Sequence, residues 1–186
     1  RGELAEMADG ALLRAGYVRV GFDHYAKPDN GLAVAVRERR LRRNFQGFTE
    51  DAAEAVIGFG ASAVSFVGGL YAQNHKTVGG YEAAVAARRL ATERGAVRTP
   101  YDEVVARTIT DLLCRFEVDV SDLLAQAPGG DVARIDAALE DFQATGVVDR
   151  EGARLRLNPD AYGLARAVAM ALDPYAHGQQ SFAKAV

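Results

Sequence analysis

Along the 186 residues of the chain, apolar positions recur first with a helical period and then with an alternating one. Over 3–15, Leu4, Met7, Ala8, Ala11 and Leu12 share one stripe, which predicts a helix stopped by Gly16. Tyr17-Val18-Arg19-Val20-Gly21-Phe22 then alternates as a strand does. Helix followed by strand is the repeat of an α/β barrel or open sheet. Such folds place working residues at strand C-terminal ends, where Asp23 and His24 stand here. Pro28-Asp29-Asn30-Gly31 predicts a turn, with Asp29 or Asn30 capping a helix over 31–41.

The stretch 43–77 is less regular and richer in glycine. Glu50 and Asp51 suit the first turn of a short helix over 50–57, Ala63-Val64-Ser65-Phe66-Val67 reads as a strand, and Tyr71-Ala72-Gln73-Asn74 as a short loop. From residue 78 the period is helical over 79–93, 100–116 and 131–145, the second helix opened by Thr99 as N-cap and Pro100 at its first position. Residues 147–157 predict a hairpin turning at Glu151-Gly152, and Asn158-Pro159-Asp160 starts a last helix to about 172. Helix, hairpin and helix in that order suggest a winged-helix-like module. The expected class is α+β: the end of an α/β barrel over 1–77, then a mainly helical domain over 78–186.

An apolar share of 49% and a charged share of 25% suit an ordinary globular core. A net charge of −3 and a pI near 5.7 give no general pull towards nucleic acid or anionic membrane, and no apolar run reaches the length of a membrane span. The opening Arg1-Gly2-Glu3-Leu4 reads as the interior of a longer polypeptide. Cys114 is the sole cysteine, so an internal disulfide is excluded and a reducing, cytoplasmic setting is expected. A cubane iron–sulfur cluster needs several thiolates, more than this chain owns. Leu112, Leu113 and Phe116 around Cys114 mark it as a buried core thiol.

Arg37, Arg39, Arg40, Arg42 and Arg43 crowd one short stretch. They suit either carboxylate or phosphate binding, or a solvated helix end whose dipole favours cations. Gly58-Phe59-Gly60-Ala61-Ser62-Ala63 imitates a dinucleotide fingerprint, but a helix is expected before it and a strand after it, the reverse of what that motif needs. What remains is a glycine pair that allows close backbone approach to a strand or a ligand. His24, His75 and His177 are not at metal-ligand spacing. Asp136, Glu140 and Asp141 against Arg134 make the helix over 131–145 a poor phosphate reader, so the module is expected to pack against protein.

Three runs together resemble one family. Gly21-Phe22-Asp23-His24-Tyr25-Ala26-Lys27-Pro28-Asp29 is similar to a strand-to-loop segment with Asp-His-Phe-Ala-Arg. Arg43-Asn44-Phe45-Gln46-Gly47-Phe48-Thr49 resembles Arg-Asn-Phe-Gln-Gly-Tyr-Thr. Gly60-Ala61-Ser62-Ala63-Val64-Ser65 with Tyr71-Ala72-Gln73-Asn74 resembles Gly-Val-Ser-Ala-Ile-Ser and Tyr-Ala-Gln-Asn. A thinner likeness runs through Leu113-Cys114-Arg115-Phe116 to the tail Ser181–Val186. The family is that of the oxygen-independent coproporphyrinogen III oxidases, radical-SAM enzymes of haem biosynthesis. Phe48 in place of Tyr and Tyr25 in place of Phe depart from its pattern, and 117–145 matches poorly.

The resemblance implies that the intact polypeptide reduces S-adenosylmethionine (SAM) with a [4Fe–4S] cluster held by three upstream cysteines. The resulting radical converts two propionates of coproporphyrinogen III into vinyls, giving protoporphyrinogen IX. It implies a cytoplasmic monomer whose partner is the missing N-terminal half, with neither catalytic residues nor cluster ligands in this chain, which alone is expected to be inactive. Val64 takes the place of the family's SAM-contacting Ile. A substrate with four propionates asks for cationic forks, which makes Arg43, with Asn44 and Gln46, a candidate contact. Arg37 also falls at a family-like position, whereas Arg39, Arg40 and Arg42 do not. Tyr71, Gln73, Asn74 and His24 are further candidates. A haem-binding chaperone branch of the same superfamily and a non-catalytic helical module are the rival readings.

Overall fold

The computed structural model describes residues 2–176; His177 and the Ser181–Val186 tail lie outside them. The fold is α+β, and two compact units make it up: residues 1–51 with 104–186, and residues 52–103. Every strand pairing among the described residues is antiparallel.

The first unit starts with α1 (Gly2–Arg14), then β1 (Val18–Val20) and β2 (His24–Ala26). The strand is shorter than the 17–22 expected: β1 turns back on β2 as a hairpin, with Val20 opposite His24. Gly21 makes that turn at φ +60°, a left-handed conformation that costs glycine nothing. The predicted apolar stripe of α1 is not buried, because Leu4 and Met7 are 70% and 68% exposed. Instead Asp9 ties α1 to the hairpin, accepting from Arg19 at 2.6 Å and from the Tyr25 hydroxyl at 2.5 Å. Burial and the bond to Asp9 push the Tyr25 phenol up to about 12.

Asn30, not Asp29, caps α2 (Gly31–Arg37), its side chain accepting from Leu32 N. The helix stops short of the predicted residue 41 because Arg39 adopts φ +56° and turns the chain, its N–H bonding Val36 O. This is the glycine-type helix end built with arginine. The arginine cluster is thereby dispersed: Arg37 lies in the last turn of α2, while Arg42 and Arg43 lie on β3 (Arg42–Asn44), which pairs with β4 (Gly47–Thr49). Val20, Ala26, Ala33, Ala35 and Leu41 share a buried cluster with Cys114, so this hairpin region and the later part of the chain are one core.

The second unit is a meander of β5 (Val64–Val67), β6 (Leu70–Asn74) and β7 (Thr92–Val97), with α3 (Val78–Ala86) between the last two strands. The helix expected over 50–57 is absent; Val56 instead forms a bridge with Phe66, donating and accepting at 2.8 Å. Tyr71–Asn74, expected as a loop, are part of the central strand β6. The helix expected over 79–93 ends at Ala86, where Arg88 at φ +54° repeats the Arg39 device, and residues 92–97 form β7.

The chain returns to the first unit along α4 (Pro100–Arg115), opened by Thr99 and Asp102 exchanging cap hydrogen bonds of 2.7–3.2 Å. After it come β8 (Glu117–Asp119), α5 (Ser121–Gln126), α6 (Gly129–Ala144), β9 (Val148–Glu151), β10 (Arg154–Leu157), a 3₁₀ segment (Pro159–Leu164) and α7 (Ala165–Leu172). The sheet order is β8-β10-β9, and β9 and β10 form the predicted hairpin, with Gly152 at φ +61°. Leu112, Leu123, Ile135, Leu139, Leu155, Leu157 and Leu172 are fully buried. Two charged residues of α6 are held internally: Asp136 accepts from Arg150 at 2.6 Å, and Arg134 donates to Ala171 O at 2.7 Å.

Candidate functional site

The candidates fall into two groups, one in each unit. In the first, antiparallel pairing sets Arg43 directly opposite Phe48, so both side chains leave the same face of the β3–β4 hairpin. The guanidinium carbon lies 4.7 Å from the Phe48 ring centre and 5.5 Å from that of Phe22. Its Nη1 is buried with no hydrogen-bond partner. His24 meets Phe48 edge-on at 5.3 Å and holds Asp23 through Nδ1 at 2.5 Å, with half of its side chain exposed. Arg166 of α7 stands 5.9 Å over Phe22. The Asn44 side chain accepts from Gln46 N at 2.8 Å and Gly47 N at 3.2 Å, which closes the hairpin turn and leaves Phe45 and Gln46 at its exposed tip.

The fold therefore brings Arg43 and His24 together at the Phe48 ring, with Phe22 beside it, while Asn44 shapes the turn and Gln46 stays at its tip. Phe48 had been noted only as a departure from the family pattern. The available signal was the turn: Asn44-Phe45-Gln46-Gly47 fixes which residue faces Arg43.

In the second group, Val64 is half-buried at the start of β5. Gly58 answers the question left by the glycine pair: a Cβ there would lie 2.6 Å from Val64 O, so the close approach is to a neighbouring strand. Gly60 is needed for its φ of +104° and has open space around it. Tyr71 packs its ring against Phe66 at 4.7 Å and its hydroxyl accepts from Arg98 at 2.5 Å. The Arg98 guanidinium lies against both rings, 4.6 Å from Phe66 and 5.0 Å from Tyr71. Gln73 donates to Ser62 O at 3.0 Å and accepts from Arg94 at 2.7 Å. Asn74 donates to Gly60 O at 3.0 Å and Gly58 O at 3.3 Å.

Cys114 is 7% exposed, and burial pushes its thiol up to about 11. A thiol reagent at pH 8 is expected to leave the folded protein unlabelled and to modify Cys114 once denaturant is added; rapid labelling without denaturant would contradict its core placement. The sign follows: the unfolded thiol ionises first as pH rises, so this group removes stability between its ordinary range and about 11. Among the described residues no group of three or more His, Cys, Asp or Glu is arranged to hold a metal ion, and no helix is long and apolar enough to cross a membrane. A cleft of about 450 Å³ in the first unit is lined by Arg39, Arg107, Asp111, Arg115, Glu117 and Arg154, among others. Its arginines face carboxylates: Arg115 pairs with Asp111 at 3.1 Å, Arg107 with Asp122 at 3.0 Å, and Arg39 with Glu117, whose carboxyl that bond lowers.

No family model matches the chain. It is 41% identical over 95% of its length to an oxygen-independent coproporphyrinogen III oxidase of Bradyrhizobium diazoefficiens. One from Synechocystis is 34% identical over 98% of the chain. Coproporphyrinogen III oxidase (HemN) of Escherichia coli, described as a radical SAM enzyme, superposes with a TM-score of 0.81 at 34% identity over 91% of the chain. The chain belongs to the oxygen-independent coproporphyrinogen III oxidase family. It spans about 40% of the length of these relatives and matches their C-terminal portion. The β3–β4 hairpin, the glycine loop before β5 and the central strand β6 thus lie in the stretch that is similar to the C-terminal portion of these relatives.

Proposed function

We propose that the intact polypeptide oxidatively decarboxylates two propionates of coproporphyrinogen III to vinyls, giving protoporphyrinogen IX, and that this chain supplies the substrate rim and one wall of the SAM pocket. The observation that carries the reading is the identity of 41% over 95% of the chain to a relative bearing that enzyme's name. The relatives cited above are all called coproporphyrinogen III oxidases, which favours the oxidase over a haem chaperone or a non-catalytic module. The division into a radical-SAM barrel end over 1–77 and a helical C-terminal domain over 78–186 belongs to this proposal, and the pairing of β6 with β7 spans its boundary. The order α4-β8-α5-α6-β9-β10, with β8 on β10, supports a winged-helix-like module there. The acidic Asp136, Glu140 and Asp141 on α6 suit packing against protein rather than phosphate. We place the enzyme in the cytoplasm as a monomer.

SAM, with a reduced [4Fe–4S] cluster held outside this chain, would supply the radical that removes hydrogen from the propionates. Val64 fits such a group: a half-buried, β-branched apolar side chain gives an adenosyl ring a surface without competing hydrogen bonds. Arg43 is the propionate fork, its position fixed by Phe22 and Phe48 and its buried Nη1 in need of an acceptor. Gln46 at the hairpin tip and His24 beside Phe48 are further propionate contacts. Asn44, Tyr71, Gln73 and Asn74 complete the proposed set of substrate contacts: Asn44 shapes the β3–β4 hairpin, Gln73 and Asn74 hold the glycine loop, and Tyr71 is held by Arg98.

Ligand choice by the intact polypeptide tests this. Coproporphyrin III, the stable oxidised form of the substrate, is expected to bind, and Arg43→Met to weaken it about tenfold, as loss of a charge-assisted hydrogen bond does, with SAM affinity unchanged. Tight haem binding without coproporphyrin binding would overturn the reading.

A further inference from the structure

We infer that Asn74 is a positioning residue, which fixes the loop over residues 58–62 and through it the backbone of Val64. The inference rests on the reading of Val64 as a SAM contact.

Apolar packing does not hold this loop in place. Ile57 and Phe59 are 58% and 85% exposed, so little burial anchors the segment. Its backbone is also unusual, with Gly60 at φ +104° and Ser62 at φ +62°, a region that serine seldom adopts. Hydrogen bonds from the end of β6 supply the constraint. Asn74 Nδ2 donates to both Gly60 O and Gly58 O, Gln73 Nε2 donates to Ser62 O, and His75 O accepts from Ser62 N at 2.8 Å. From the other side, Ser65 Oγ accepts from Gly58 N at 3.0 Å.

In a regular strand, neighbouring side chains point to opposite faces, so Gln73 and Asn74 would not serve one loop. The pairing of β6 with β7 shifts register between these two residues. That irregularity re-aims the strand and lets consecutive amides reach the same segment. Asn74 holds two carbonyls whose residues flank the loop apex, which makes it the pin with the largest share of the loop.

The link to Val64 is steric. Gly58 lies so close to Val64 O that a Cβ would not fit between them. Movement of Gly58 is therefore transmitted to the first residue of β5 and to the side chain proposed to meet SAM. Because both acceptors are carbonyls, position 74 must present N–H donors. Aspartate has the same shape and none to offer, so Asn74→Asp sets a carboxylate against two carbonyl oxygens.

The test uses the intact enzyme under anaerobic conditions, with SAM affinity from equilibrium dialysis and loop amide exchange by mass spectrometry. Asn74→Asp is expected to raise the SAM dissociation constant about tenfold or more, as loss of two partly buried hydrogen bonds does, and to speed exchange across residues 58–63. The urea midpoint is expected to stay close to the parent's while SAM affinity falls, which a merely destabilised protein would not show. Should this variant not fold, Ser65→Ala removes only the acceptor for Gly58 N and is read by the same criteria. Unchanged SAM affinity overturns the inference, whether or not exchange quickens. If Val64→Asp still weakens SAM in that event, only the role of Asn74 falls; if Val64→Asp has no effect either, the reading of Val64 falls with it.

Discussion

Gly21→Ala is expected to destabilise the first unit by about 2–4 kcal/mol, the combined size of an overpacked contact and a left-handed backbone forced on an L-residue. Gly21 turns the β1–β2 hairpin at φ +60°, and a Cβ there would lie 1.9 Å from the end of the Phe48 ring. That ring has nowhere to retreat: Arg43 stacks on it, His24 meets its edge, and Phe22 packs against it at 5.8 Å. The substitution therefore shifts the side chain that positions both propionate candidates as well as weakening the fold. Urea denaturation checks the first effect and coproporphyrin titration the second. A variant as stable as the parent would mean that Phe48 does not hold this place.

Val64→Asp in the intact enzyme is expected to lower SAM affinity by at least about thirtyfold. Loss of an apolar contact of valine size accounts for about 1.5 kcal/mol, and bringing a carboxylate out of water against an adenosyl group adds to it. Val64→Ile restores the residue of the resembling family and is expected to stay within about twofold, because volume changes by one methylene and the β-branch is kept. Equilibrium dialysis of labelled SAM distinguishes the two. Normal affinity in Val64→Asp would remove the residue from the pocket.

How much of this was readable in the sequence depended on how local the cause was. Gly16, with φ +83°, marked the end of α1 correctly, and Thr99-Pro100 marked the start of α4. The ends of α2 and α3 were not readable, because Arg39 and Arg88 take the left-handed position that glycine normally signals. Strand β7 gave no signal, since all of its residues are exposed and alternation needs a buried face. Tyr71–Asn74 looked like a loop because what makes them a central strand is their pairing with the remote β7 as well as with adjacent β5. Glu50 and Asp51 imitated a helix start, whereas Val56 was drawn into the ladder by Phe66.

The candidate site divided along the same line. Residues adjacent in one run, Arg43, Asn44 and Gln46, were legible as a group. Their association with His24 passes through Phe48 and requires the hairpin register. Asn74 was legible as a polar residue in a family-like run, but its two carbonyl partners come from the glycine loop, which no spacing rule connects to it. The stacking of Phe116 on Tyr162 at 3.6 Å and the contact of Arg98 with Phe66 and Tyr71 were missed for the same reason.

The account is tested most directly by turnover of the intact polypeptide that carries this chain. With its cluster reconstituted under anaerobic conditions, and with SAM and a reductant present, the account predicts that coproporphyrinogen III is consumed. Carbon dioxide should be released from each of the two reacting propionates, and protoporphyrinogen IX should accumulate. A reconstituted protein that binds and cleaves SAM yet leaves coproporphyrinogen III unchanged would contradict it.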